Sequence, residues 1–132
     1  MIVYENRIES SFHAVDLAVM DILGALNTKC PHISKQRLFK INFMLRELLN
    51  NAVEHGNGFN VEKEVYCLVE YDSNSLRFEI SDEGSGIDMK AQSADRGIKT
   101  RNRGYETISA MDFTYTIQEN TVYVTFDLDK EE

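Results

Sequence analysis

Apolar residues recur at steps of three and four in the N-terminal half of the chain, which predicts two amphipathic helices. The first helix follows an extended segment over residues 2–9 and ends before Pro31, and its apolar positions are Phe12, Val15, Val19, Ile22 and Leu26. The second runs from Lys35 to about His55, and its apolar stripe is Leu38, Ile41, Leu45, Leu48 and Ala52. Ser34 is its predicted N-cap, and the run Gly56-Asn57-Gly58 predicts where it stops.

The hydrophobic period changes to two from Val61 onwards, which predicts β-strands. Two strands, over residues 61–71 and 76–80, flank turn-forming residues, and two more cover about 113–117 and 122–128. Between these hairpins we predict a long polar loop over residues 82–104, and then a short helix whose inward residues are Tyr105, Ile108 and Met111. Helices followed by hairpins are typical of the α+β class. The predicted fold is therefore a two-layer α/β sandwich, with helices on one face of a mixed, mostly antiparallel sheet.

Length and composition narrow the classes of function. The 132 residues suit a single domain over residues 1–132. The formal net charge of −8 and the lack of a basic run argue against direct nucleic-acid binding, although the local basic cluster at residues 96–103 is either an anion site or a solvated loop. The chain has neither an apolar run of about 18 residues nor a signal peptide, so we expect no membrane association and a cytoplasmic location. Cys30 and Cys67 fit free thiols in a reducing compartment.

Two polar side chains occupy one side of the second predicted helix. Glu47 and Asn51 are four residues apart, so they stack beside each other at the edge of the apolar face. A carboxylate next to an amide oxygen can accept a proton or hold a hard cation such as Mg²⁺. The same pattern also fits a solvated helix face without function.

A second motif, Asp82-Glu83-Gly84-Ser85-Gly86, lies where a predicted strand ends. Asp82 could accept a hydrogen bond from an exocyclic amine, while Gly84 and Gly86 would let the backbone approach a ligand closely. Alternatively, the segment is a glycine turn in which Asp82 accepts hydrogen bonds from local amides. It matches neither a Walker loop nor a dinucleotide fingerprint nor an EF-hand.

In this order, the two motifs resemble the GHKL (Bergerat-fold) ATPase family, and the likeness extends over nearly the whole chain. The stretches LLNNAVEHG, ending at Gly56, and ISDEGSGID, residues 80–88, look most like the bacterial anti-sigma-factor serine/threonine protein kinases. The resemblance implies ATP and Mg²⁺ as cofactors. It implies that Glu47 is the general base, that Asn51 holds Mg²⁺, and that Asp82 accepts the adenine amino group beside Gly84 and Gly86.

The family's third motif, a Gly-x-Gly that contacts the phosphates, is altered here. The best match is Asn102-Arg103-Gly104, in which asparagine replaces the first glycine, and residues 95–98 are a poorer match. Asparagine tolerates left-handed backbone geometry, so the amides of Asn102, Arg103 and Gly104 could still meet a phosphate at a helix start.

The resemblance implies an ATP-dependent serine protein kinase and anti-sigma factor that phosphorylates a STAS-domain anti-sigma antagonist and sequesters a sigma factor. It also suggests a homodimer. The altered third motif keeps an alternative open, namely a catalytically degraded Bergerat-fold module that sequesters a regulatory partner without kinase activity. A histidine-kinase-like catalytic fragment is a third interpretation, although the chain carries no phosphoacceptor helix.

Overall fold

Two helices and a five-stranded sheet form the two layers of the fold. The structure is a computed structural model that describes residues 1–84 and 105–130. The elements in chain order are β1 (Ile2–Glu9), α1 (Phe12–Lys29), α2 (Lys35–Asn51), a π-helical turn (Ala52–Gly56), β2 (Glu64–Asp72), β3 (Ser75–Ser81), β4 (Phe113–Gln118) and β5 (Thr121–Asp127). Residues 105–110 are also helical. None of the helices in the described ranges combines the length and apolarity that crossing a bilayer requires.

Both long helices begin at the serine caps that their sequences favour. Ser11 Oγ accepts a hydrogen bond from Ala14 N–H at 3.1 Å, and Ser34 Oγ accepts one from Arg37 N–H at 3.2 Å. These bonds satisfy amides that have no partner within the helix. The capped ends set where each apolar stripe starts to face the sheet.

The sheet has the strand order β1-β2-β3-β5-β4, and every strand pair in the described ranges is antiparallel. The prediction of an α+β two-layer fold with a mostly antiparallel sheet is confirmed. Two-residue turns join β2 to β3 and β4 to β5, and such turns join neighbouring strands only in antiparallel fashion. Ser73 and Asn74 both have positive φ, 51° and 58°, in the turn between β2 and β3.

One hydrophobic core lies between the helices and the inner face of the sheet. It contains the predicted stripe of α2 and the alternating residues Val65, Cys67, Val69, Leu76, Phe78 and Ile80. The inward positions predicted for the segment before β4 are also confirmed, because Tyr105 and Ile108 are buried and Met111 packs against the core.

Two predicted apolar positions lie on the surface instead. Val61 is 63% exposed because residues 57–63 form successive turns, so β2 starts at Glu64 and not at Val61. Phe12 is 48% exposed and makes an edge contact with Phe59 at 5.0 Å between ring centroids. Each residue has the right spacing for its element but lies at or beyond the element's end, where no second layer covers it.

Candidate functional site

The C-terminal end of α2 presents polar side chains at the edge of its buried face. Asn51 is only 9% exposed and Glu47 is half-buried. Within residues 1–84 and 105–130, neither side chain forms a hydrogen bond. Buried polar groups nearly always have a partner, so an asparagine this buried and a carboxylate beside it are suited to meet a ligand.

A third polar side chain, a carboxamide, lies on the same helix between these two residues in sequence. Asn50 Oδ1 is fully buried and has no hydrogen-bond partner in the described part of the chain. Asn50 lies three residues after Glu47, so the two share a side of α2. The combined oxygen atoms of Glu47, Asn50 and Asn51 form an acceptor-rich edge on one helix.

The helix does not continue as an α-helix to His55, as predicted, but widens into the π-helical turn at Ala52–Gly56. Asn57 N–H donates to Ala52 C=O at 2.8 Å, a span of five residues, and Phe59 N–H donates to Val53 C=O at 2.9 Å. Such wide turns are rare and often occur at functional sites. The hydrophobic periodicity could not reveal the π-helical turn, because the apolar stripe of α2 already ends at the first residues of that turn.

This turn brings the two predicted motifs into direct contact. The Cα of Gly56 packs against the side chain of Asp82: a Cβ at residue 56 would lie 2.8 Å from Asp82 Cβ and closer still to its carboxylate. A Cβ at Gly84 would lie 3.0 Å from the carbonyl carbon of Gly56 and closer to the carbonyl oxygen. The three residues therefore fit together only because two of them lack side chains.

Asp82 is held on its other side by the turn between β4 and β5. Its N–H donates to Asn120 C=O at 3.1 Å, and the side-chain amide of Asn120 donates back to the carbonyl of Asp82. One carboxylate oxygen, Oδ1, accepts the Gly84 N–H at 2.8 Å. Asp82 thus accepts a hydrogen bond from a local amide, which was the alternative role predicted for it from the sequence. This hydrogen bond engages Oδ1, while the Oδ2 side lies against Gly56.

Asn57 is a site residue that was not predicted from the sequence, in which Gly56-Asn57-Gly58 indicates only a helix stop. The Asn57 side chain is buried and donates to Ser10 Oγ at 2.9 Å and to Glu64 C=O at 3.1 Å. It accepts the Glu83 N–H at 2.7 Å. An asparagine between two glycines at a helix end was the only signal, and it resembles any other turn.

Other predicted contacts fall outside the described residues. Gly86, Asn102, Arg103 and Gly104, together with the weaker third-motif match at residues 95–98, lie in the range 85–104. Of the predicted site residues, the structure therefore places Glu47, Asn51, Asp82 and Gly84. Within the described ranges there is no group of three or more His, Cys, Asp or Glu side chains able to hold a metal ion. A cation here would have to rely on one or two side-chain oxygens together with ligand oxygens.

Comparison with known proteins identifies the family. A family model described as a histidine kinase-like ATPase domain matches residues 10–124. The chain belongs to the histidine kinase-like ATPase family. The match includes both motifs and the segment between them, so it confirms the resemblance to GHKL-type ATPases.

Among solved structures, the chain is similar to a histidine kinase domain from the Erythrobacter litoralis EL346 blue-light activated histidine kinase. The TM-score is 0.53 at 16% sequence identity, and the similarity covers 86% of this chain and 61% of that domain. At this identity the likeness supports the fold. No curated protein matches the chain.

The family implies ATP as the bound nucleotide, and the described residues fit that group. Asn50 Oδ1 is buried without a partner in the described ranges and Asn51 is 9% exposed, and both lie on the helix whose end contacts Asp82. A polyphosphate with its cation would satisfy such acceptors through the cation, since carboxamide oxygens are good ligands for hard metal ions. Asp82 lies on the loop after β3, where a carboxylate can accept a hydrogen bond from an amino group.

Proposed function

We propose that this histidine kinase-like ATPase domain is an ATP- and Mg²⁺-dependent serine/threonine protein kinase that also acts as an anti-sigma factor. One observation supports the site: Gly56, at the end of the helical segment that carries Glu47 and Asn51, packs against Asp82. The choice of kinase class rests on the sequence likeness of residues 48–56 and 80–88 to anti-sigma-factor kinases. On the same basis, a STAS-domain anti-sigma antagonist is the proposed substrate, a sigma factor the second partner, a homodimer the assembly and the cytoplasm the location.

Each described residue has a task in this proposal. ATP, when bound, supplies the phosphoryl group, and enzymes of phosphoryl transfer contribute mainly positioning and charge neutralisation. Glu47 accepts the proton of the substrate's serine hydroxyl or orients that hydroxyl. Asn51 offers its amide oxygen to Mg²⁺. Asp82 accepts a hydrogen bond from the adenine amino group, and Gly84 leaves space beside it.

The kinase activity is tested by following transfer of labelled γ-phosphate from ATP to a STAS-domain protein. We expect Glu47→Gln to bind nucleotide as the wild type does but to transfer roughly 10²- to 10⁴-fold more slowly, the usual cost of losing a general base. Glu54→Gln is the matched control, since Glu54 is an exposed carboxylate on the turn that follows α2. Equal transfer rates in the wild type and Glu47→Gln, or no transfer at all by the wild type, would rule out this mechanism.

Nucleotide binding is tested separately by thermal unfolding with Mg-ATP or Mg-ADP. A ligand at about 100 times its dissociation constant adds roughly 2.7 kcal/mol to the free energy of unfolding. We expect a clear rise in melting temperature for the wild type and a much smaller one for Asp82→Asn, in which an amide nitrogen can replace one of the acceptor oxygens. An unchanged response in Asp82→Asn contradicts the adenine assignment.

A second candidate is a binding module without kinase activity, which the substitution of Asn102 for the first glycine of the third motif favours. Such a module would sequester its partner through the same fold. It predicts partner binding without phosphoryl transfer, and no thermal shift with millimolar nucleotide. The thermal assay above therefore separates the two candidates before any substrate has been identified.

A further inference from the structure

We infer that Asn57 is a positioning residue that sets the preference of the pocket for adenine over guanine. The inference rests on the proposed role of Asp82 in nucleotide binding. Asn57 itself does not need to touch the nucleotide. Its task is to hold the loop on which Asp82 lies.

The position of Asn57 at the junction of three segments supports this role. It is 4% exposed, and both its side-chain nitrogen and its side-chain oxygen form hydrogen bonds. Its amide nitrogen donates to Ser10 Oγ, before α1, and to Glu64 C=O, at the start of β2. Its amide oxygen accepts the N–H of Glu83 at 2.7 Å. The bond to Glu83 links the end of the helical segment to the loop after β3.

The loop after β3 depends on that bond because Glu83 lies directly after Asp82. The side chain of Glu83 also accepts the Glu64 N–H, so Glu83 is held through both its backbone and its side chain. Asn120 holds the Asp82 backbone from the opposite side. Loss of the Asn57 amide oxygen would leave the Glu83 N–H without its partner, so that the Glu83 backbone is held only through its side chain and can shift relative to the Asn120 contact.

A rotation of this loop has a specific chemical consequence. The Asp82 carboxylate accepts hydrogen bonds, so it attracts the 6-amino group of adenine and repels the 6-oxo group of guanine. The ratio of ATP affinity to GTP affinity therefore reports where the carboxylate lies. A purely structural defect lowers the fraction of folded protein, which affects both nucleotides equally and leaves the ratio unchanged.

The test compares the affinities for Mg-ATP and Mg-GTP of the wild type, Asn57→Ala and Ser10→Ala, measured well below their melting temperatures. Ser10→Ala is the matched control. It loses a hydrogen bond from Asn57 and one to Lys63 C=O in the same cluster, yet it keeps the Asn57–Glu83 bond. We expect the ATP/GTP affinity ratio to fall roughly tenfold in Asn57→Ala, the effect of losing the hydrogen bond between the adenine amino group and the displaced Asp82 carboxylate. Ser10→Ala should keep the wild-type ratio despite a lower melting temperature.

A wild-type ratio in folded Asn57→Ala, or an equal fall in Ser10→Ala, overturns the inference. Hydrogen exchange of the Glu83 amide in the wild-type protein tests the contact even if Asn57→Ala does not fold. We expect protection of this amide, and exchange at the rate of a free amide overturns the inference. The proposed function fails separately: in that case the wild type binds no ATP, or Asp82→Asn binds it unchanged.

Discussion

The substitution Gly56→Ala tests the contact on which the whole site depends. The new methyl carbon would lie 2.8 Å from Asp82 Cβ and nearer still to the carboxylate. Nonbonded carbon atoms prefer separations of about 3.5–4.0 Å. The Asp82 side chain would therefore have to move by about 1 Å or the π-helical turn would have to open.

Both ways of relieving this clash have measurable costs. Overpacking of this kind destabilises proteins by about 1–3 kcal/mol. A displacement of about 1 Å at a positioned group can cost about 10²-fold in activity. In urea titrations we expect Gly56→Ala to lower the free energy of unfolding by about 1–3 kcal/mol. We also expect it to weaken ATP binding far more than the loss of folded protein explains.

Gly24→Ala is the control for the effect of replacing glycine by alanine. Gly24 lies within α1, and a Cβ there would have no atom within 4 Å. Alanine has a higher helix propensity than glycine. This variant should therefore be more stable than the wild type by up to about 1 kcal/mol, with unchanged nucleotide affinity.

A double-mutant cycle makes the assignment specific. Removing the carboxylate in Asp82→Ala takes away the closest contacts and leaves only the one with the Cβ of residue 82, so Gly56→Ala should cost less in that background than in the wild type. Two costs that simply add would show that the two residues are not coupled. Wild-type stability and affinity in Gly56→Ala alone would refute the packing argument altogether.

Three further outcomes follow from other contacts. Arg37 donates to the carbonyl of Leu128 at 2.7 Å and lies over the ring of Phe126, so Arg37→Ala should lose roughly 1–3 kcal/mol in urea titrations, and Arg37→Lys should recover only part of it. Equal stability of all three proteins would contradict this role. Burial raises the pKa of the Cys67 thiol from 9.0 to about 12, so its stabilising contribution is present below pH 9 and lost as the pH rises towards 12. The free energy of unfolding of the wild type should therefore fall relative to that of Cys67→Ala by about 1.4 kcal/mol per pH unit in this window, and parallel pH profiles would disprove it. Asn51→Ala should show the same thermal shift with ADP in Mg²⁺ as in EDTA, whereas a wild type indifferent to Mg²⁺ would argue against a metal at Asn51.

The helical and strand patterns were predictable because they depend on neighbours in the chain. The steps of three and four placed α2 and its buried stripe correctly, and the alternation of Val65, Cys67 and Val69 placed the inner face of β2. Errors occurred at element ends. The strand start at Val61 and the α-helical form of Ala52–Gly56 were both wrong, since turns and contacts with distant segments decide where an element stops.

The π-helical turn illustrates why the site was only partly predictable. Nothing in its sequence departs from a good helix end, and its geometry accompanies contacts with residues far along the chain. Asn57 was missed for the same reason. Its partners Ser10, Glu64 and Glu83 are 47, 7 and 26 residues away, and no local spacing connects them.

By itself, the sequence determined that Glu47 and Asn51 share one side of a helix, because helical periodicity alone places residues four apart together. It also determined that Asp82 follows a strand, beside glycines that allow close approach. Only the tertiary structure decided that the end of this helical segment meets the Asp82 loop. The contact between Gly56 and Asp82 joins residues that are 26 positions apart. It exists because the sheet and α2 pack around one core and because Gly56 has no Cβ.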